Sequence, residues 1–215
     1  MSTVRMESRS PASGAVHAAL PLALMESVRT HDRPVEVLED EDLTLSLPRR
    51  FGMSTVMLKQ IQLYESASRA GKSVPLEEFL GLIRLVLKRP DAADVLRQAG
   101  NSTARHYFNR VPKSYVKALR ILPKALLHRA YRKLATRMLR GLSGAATVEV
   151  TGRPPVVRIS DSAISSLDPA GSACVLYAAA LEELGDALAG HRPTVLHTRC
   201  IGTGEAACEW TVESL

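Results

Sequence analysis

The chain has 215 residues, 46% of them apolar and 4% aromatic, with a formal net charge of +6; that is enough for one full domain whose core must be aliphatic. No run approaches the roughly 18–20 uninterrupted apolar residues of a membrane span. Three cysteines, an odd number, do not make the disulfide framework of a secreted protein, so free thiols and a cytoplasmic location are expected.

Residues 1 to about 33 are rich in Ser, Ala, Pro and Arg without a sustained period, and read as a mobile arm. The apolar stretch from Ala15 to Met25 is too short for a signal peptide, contains His17 and Pro21, and lacks a small-residue cleavage site. Residues 34–75 read as an extension. It holds an acidic run from Glu36 to Asp42, then Leu43, Leu45 and Leu47 alternating with polar residues, and a first helix from Ser54. Val56, Ile61, Leu63 and Tyr64 form the stripe of that helix, and Gly71 caps its end.

Pro75 fits the first position of the next helix, with Glu77 and Glu78 favouring the positive end of its dipole. Phe79, Leu80, Leu82, Ile83, Leu85, Val86 and Leu87 wrap most of its circumference, which predicts burial on more than one side. Pro90 stops it, and Asp91 caps a helix from Ala92 to Tyr107, interrupted near Gly100. A long helix follows from Lys124 to Leu142, with Leu126, Leu127, Tyr131, Leu134, Met138 and Leu139 on one stripe and its cations mostly off it.

From Ala146 the period changes from about 3.6 to about 2. One hairpin is predicted around Gly152–Pro154. A helix from Ser172 to Leu188 ends at Gly190, and a second hairpin turns around Gly202 and Gly204. The fold class is therefore α+β, with N-terminal helices packed on a four-stranded antiparallel sheet and residues 76–215 as one domain. The stretch Gly202–Ala207 matches the glycine-rich dinucleotide fingerprint formally, but lacks the helix and strand that must follow it, and reads as a turn.

Charge is not spread evenly. Between Val95 and Val148 lie 12 of the 28 Lys and Arg residues and no acid, leaving 16 against all 22 acids elsewhere. Phosphates, an anionic membrane surface, a carboxylate-bearing ligand or an acidic protein would each match such a field, and a solvated face is the plain alternative. Tyr107, Phe108, Tyr115 and Tyr131 are too scattered for a base-stacking platform, so nucleic acid is not expected. His106 reads either as an axial ligand to a porphyrin metal or as a partly buried structural histidine. No catalytic set can be assembled from the sequence.

All three cysteines fall near the end of the chain, with a histidine among them: Cys174, His197, Cys200 and Cys208. Thiolate and imidazole donors in a set of four suit a closed, structural zinc site. The alternative is three small core cysteines. His197 and Cys200 lie an odd number of residues apart, so a regular strand would point them to opposite faces, and a bulge is needed to bring them together.

The passage from His197 to Trp210, HTRCIGTGEAACEW, resembles the closing motif of the vinyl-4-reductase (4-vinyl reductase) domain family. The resemblance runs over about residues 76–212, and the stretches LPRRFG at 47–52 and ALRILP at 118–123 add to it. It implies a small-molecule-binding fold similar to subunits of the TRAPP vesicle-tethering complex. Phenol-sensing relatives hold zinc through a cysteine, an acidic residue and two more cysteines, at spacings matched by Cys174, His197, Cys200 and Cys208. Here histidine stands in place of the carboxylate. The resemblance also implies a Mg-porphyrin or chlorophyllide-type tetrapyrrole as ligand, in bacteriochlorophyll and chlorophyll biosynthesis for photosynthesis. It implies magnesium chelatase as a docking partner and a homodimer as the assembly. A carrier is the favoured reading; a 4-vinyl reductase acting on divinyl protochlorophyllide and a ligand-sensing regulator are the alternatives. Arg105, Arg110 and Lys113 are the expected partners of the pigment's propionates, with His106 beside them.

Overall fold

The computed structural model describes residues 14–32, 55–109, 111, 123–144 and 146–215. The acidic run and the Leu43, Leu45 and Leu47 segment lie outside them, as do 47–52 and 118–122. Among the described residues are six α-helices and two antiparallel sheets.

The first sheet is a ribbon that the sequence reading did not anticipate. β1 (Ala15–His17) pairs with β2 (Ser73–Pro75), Val16 lying opposite Val74. α1 (Ala19–His31) follows β1 directly. Residues 14–32 are therefore part of the folded body and not of a mobile arm: Val16 and Leu20 are fully buried, and Leu24 nearly so. Pro21 sits in the first turn of α1, where backbone N–H groups have no intrahelical partner to lose. The buried Ser27 hydroxyl donates to the Val95 carbonyl at 2.8 Å, tying α1 to the helix beneath it.

α2 (Thr55–Arg69) buries Ile61, Tyr64 and Ser68, while Val56 and Leu63 of the expected stripe face outward. In α3 (Leu76–Val86), Pro75 occupies the cap position rather than the first helical one. Leu76, Phe79, Leu80, Ile83 and Val86 make a single buried face. Leu85 is 64% exposed, so the expectation of burial on several sides fails: only residues at helical spacing from that face reach the core.

α4 (Ala92–Phe108) runs through Gly100 without a break. Gly100 lies where α4 crosses α6 (Val175–Ala189), and a β-carbon there would stand 2.3 Å from the Leu176 carbonyl oxygen. Asp91 precedes α4 without capping it; its carboxylate instead accepts from Arg89 at 2.8 Å. α5 (Lys124–Leu142) buries Leu127, Tyr131, Ala135, Met138, Leu139 and Leu142, and Leu126 is exposed. Tyr131 donates to the Leu181 carbonyl of α6 at 3.1 Å.

The second sheet holds β3 (Thr147–Thr151), β4 (Val156–Ser160), β5 (Thr194–Arg199) and β6 (Ala207–Glu213) in the order β3-β4-β6-β5, antiparallel throughout. Val148, Val157, Ile159, Cys208, Trp210 and Val212 are buried. α6 packs between α4 on one side and β5 and β6 on the other, which is why Leu176, Tyr177, Ala180, Leu181, Leu184 and Leu188 all lose contact with water. Its end at Gly190, in the left-handed conformation with φ 81°, is the expected one. No described helix is long and apolar enough to cross a membrane.

Candidate metal centre

Each of the four expected ligands is delivered by its own local device. Cys174 ends a 3-10 turn, Ser172–Cys174, that leads into α6. The Asp168 carboxylate shapes that turn by accepting the N–H groups of Ala170 at 2.9 Å and Ala173 at 3.1 Å. Cys208 lies on β6 opposite Ile159. His197 and Cys200 are brought to the same side by the irregularity their spacing demands. His197 pairs with Trp210 and Arg199 with Glu209, so β5 advances two residues while β6 advances one.

The turn after Cys200 supplies the last constraint. A 3-10 turn, Ile201–Thr203, leads to Gly204, whose φ is 97°. Gly202 presses on the loop that carries Cys174: a β-carbon on it would fall 2.1 Å from the Asp168 carbonyl oxygen. The glycines of the formal dinucleotide fingerprint are thus there for a turn and a close approach, and they bring Cys200 to Cys174.

The sulfur-to-sulfur distances are 3.6 Å for Cys174 and Cys200, 3.5 Å for Cys174 and Cys208, and 4.0 Å for Cys200 and Cys208. A tetrahedron with zinc-to-sulfur bonds of about 2.3 Å has edges of about 3.8 Å, so the three sulfurs already bracket one face of it. The His197 nitrogen completes the group, with all four donor atoms within 4.8 Å of one another. None of the sulfur pairs is near the roughly 2.05 Å of a disulfide, and all three cysteines are free. The donor set fits a metal ion.

The surroundings favour thiolate at Cys208. Cys208 is held well below the usual thiol range, first by the hydrogen bond from Cys174, then by His197, Ser165 and the Ile201 N–H, against the effect of burial. The Ile201 N–H stands 3.3 Å from that sulfur. Cys174 is pushed upward, first by its bond to Cys208 and then by burial. The two thus share a proton that a cation would displace. The Cys174 sulfur lies 3.5 Å from the Ser165 hydroxyl, and Ser165 donates to Ser162 at 3.0 Å. Cys174, Cys200 and Cys208 are buried, whereas His197 is exposed at the β5 edge with its ring stacked on Trp210.

No family model, curated protein or solved structure matches this chain.

The other candidates are placed elsewhere. Arg105 donates from Nε to Glu183 Oε1 at 2.6 Å and from Nη2 to Oε2 at 3.3 Å. Arg192 donates to the same carboxylate at 2.9 Å. Glu183 is only 8% exposed, and two guanidinium groups hold it there. His106 meets the Ser68 hydroxyl at 3.0 Å and lines, with His17, Thr103 and Met138, an apolar cavity of about 40 Å³, far too small for a macrocycle. Arg110 and Lys113 lie outside the described residues. Asp168, Ser165 and the Ile201 N–H were not foreseen as supports of the metal centre. The one signal for Asp168 was its place ahead of Pro169 and Gly171 at a helix start.

Proposed function

We propose that this chain is a metal-stapled small-molecule-binding domain of the vinyl-4-reductase type. It binds a Mg-porphyrin or divinyl protochlorophyllide and hands it between enzymes of bacteriochlorophyll biosynthesis, in the manner of bacteriochlorophyll biosynthesis protein J. The observation that carries this reading is the convergence of Cys174, His197, Cys200 and Cys208 on one site, at the spacing of that family's closing motif. The α+β architecture agrees with it. The reading rests on the motif and the site together, and the pigment on the motif alone.

Four protein donors close the coordination sphere, so zinc would act here as a staple joining the start of α6 to β5 and β6. A carrier has a physical purpose, because such pigments are poorly soluble and photoreactive. The carrier is preferred to the reductase because the one glycine-rich stretch that formally resembles a hydride-donor site is consumed in the turn between Cys200 and Cys208. Docking on magnesium chelatase and homodimer formation belong to the same proposal.

The test is a titration of purified, zinc-analysed protein with Mg-protoporphyrin and with divinyl protochlorophyllide, followed by pigment absorbance and quenching of Trp210 emission. Saturation at one pigment per chain supports the carrier. Reduction of the divinyl pigment with NADPH replaces the carrier by the reductase. Failure of both pigments to bind removes the pathway assignment and leaves the metal centre standing.

A further inference from the structure

The acid-free segment contributes a built surface at α5. Arg129, Lys133, Arg137 and Arg140 are exposed along one side of this helix. With Arg132, Thr136 and Val150 of β3 they line a groove of about 540 Å³. The cations extend over about 16 Å of helix, from 129 to 140. None of the five is ion-paired with a carboxylate among the described residues, although Arg69, Arg89, Arg105 and Arg192 all are. Arg132 also has its Nε shielded from water without an acceptor.

The opposite wall is a sheet edge. β3 is the outer strand of its sheet and pairs only with β4 among the described residues. Its far side offers backbone donors and acceptors of the kind that an added strand takes up. Val150 gives the groove an apolar floor, and Glu149, the sole acid of β3, lies opposite Arg158 of β4.

We propose that the groove between α5 and the outer edge of β3 is a docking site for an acidic, extended polypeptide segment of a partner protein. Arg129, Lys133 and Arg137 repeat a cation about every 6 Å along the helix. Side chains on one face of a strand repeat about every 6.6 Å. An extended segment with acids at alternate positions therefore meets the cations in near register while its backbone adds to β3. Single-stranded nucleic acid fits less well, because no aromatic side chain lines the groove to stack a base. A membrane surface fits less well too. Of the exposed large apolar residues, Leu126 alone lies on α5, and an interfacial helix needs a whole apolar face.

The test uses the full chain and a fluorescein-labelled peptide of alternating glutamate and threonine, read by anisotropy. The comparison probes are the glutamine-threonine peptide, duplex DNA and vesicles of phosphatidylglycerol with phosphatidylcholine. The acidic peptide is expected to bind saturably and to weaken as salt rises, with no binding of the neutral peptide. Lys133→Glu combined with Arg137→Glu is expected to weaken it at least roughly tenfold, with melting and metal content unchanged. Should the double reversal impair folding, Arg140→Gln gives a smaller loss in the same direction. A reading free of any variant is amide hydrogen exchange, which the peptide is expected to slow in Thr147–Thr151. The proposal is overturned by absence of peptide binding, by no response to the charge substitutions, by protection that spares β3, or by DNA or vesicles binding more tightly than the peptide.

Discussion

The imidazole of His197 stacks on the indole of Trp210, their centroids 4.9 Å apart and their planes 16° from parallel. Trp210 is the sole tryptophan of the chain and is fully buried. A cation on His197 places positive charge against that indole, so loading metal-free protein with Zn²⁺ or Co²⁺ is expected to change tryptophan emission, saturating at one ion per chain. In His197→Ala three thiolates remain, and affinity is expected to fall at least about tenfold, since loss of even an outer-shell partner typically has that effect. The emission response should vanish with the imidazole. Emission indifferent to metal in the wild-type chain would place the ion elsewhere.

Cys200 joins the β5 end of the sheet to the loop that starts α6, and a metal bound there is linked to folding free energy. Cys200→Ser is expected to lower the stability of the metal-loaded chain by several kcal/mol, on the order of 3 or more, and to weaken metal retention. Chelation should bring the wild-type chain down by a similar amount and leave the variant nearly unmoved. Urea unfolding with and without chelator checks this; equal midpoints and equal zinc content in the two proteins would contradict it.

The odd spacing of His197 and Cys200 demanded a bulge, and β5 has one at that point, because strand alternation is a local rule. The period change at Ala146 marked the start of the sheet for the same reason. What failed depended on distant partners. The Ala-rich residues 14–32 carry a weak pattern of their own, and are ordered by pairing with β2 and packing on α4. Leu85 has the same chemistry as Ile83, and only the placement of neighbouring elements decides that one is exposed and the other buried. Arg105 looked like a free cation because its carboxylate, Glu183, is 78 residues away.

Tyr64 is 3% exposed and donates its hydroxyl to Glu78. Burial first, and then the Glu78 carboxylate, push its pKa from 10.0 up to about 12. The fold therefore holds the neutral phenol: its contribution is complete below pH 10 and is lost as pH rises toward 12. A shift of that size corresponds to about 2–3 kcal/mol. Tyr131 and Tyr177, both fully buried, are displaced in the same direction, chiefly by burial. The tyrosinate absorbance of Tyr64, Tyr131 and Tyr177 is thus expected to appear together with alkaline unfolding and not before it. Tyr64→Phe should flatten part of the loss above pH 10 while lowering stability at neutral pH by about 1 kcal/mol. Denaturant midpoints across the alkaline range measure both effects, and ordinary titration of all the tyrosines in a still-folded chain would refute the first.

Gly100→Ala sets two effects of opposite sign against each other. Helix propensity alone gives a gain of about 1 kcal/mol for alanine over glycine in the middle of α4. The added β-carbon, however, falls 2.3 Å from the Leu176 carbonyl oxygen and 3.0 Å from the Ala179 β-carbon, both on α6. Backbone cannot turn aside as a side chain can, so the two helices must separate along their shared face. Overpacking of this kind typically destabilises by about 1–3 kcal/mol, and a net loss is expected. Leu176 lies two residues beyond Cys174, so the movement also reaches the metal centre at the start of α6. Weaker metal retention in Gly100→Ala is therefore expected, although Gly100 is not one of the four ligands. A thermal melt paired with zinc analysis decides the matter: a variant at least as stable as wild type would show that α6 yields without strain, and full zinc retention in a destabilised variant would show that the crossing and the metal centre are independent.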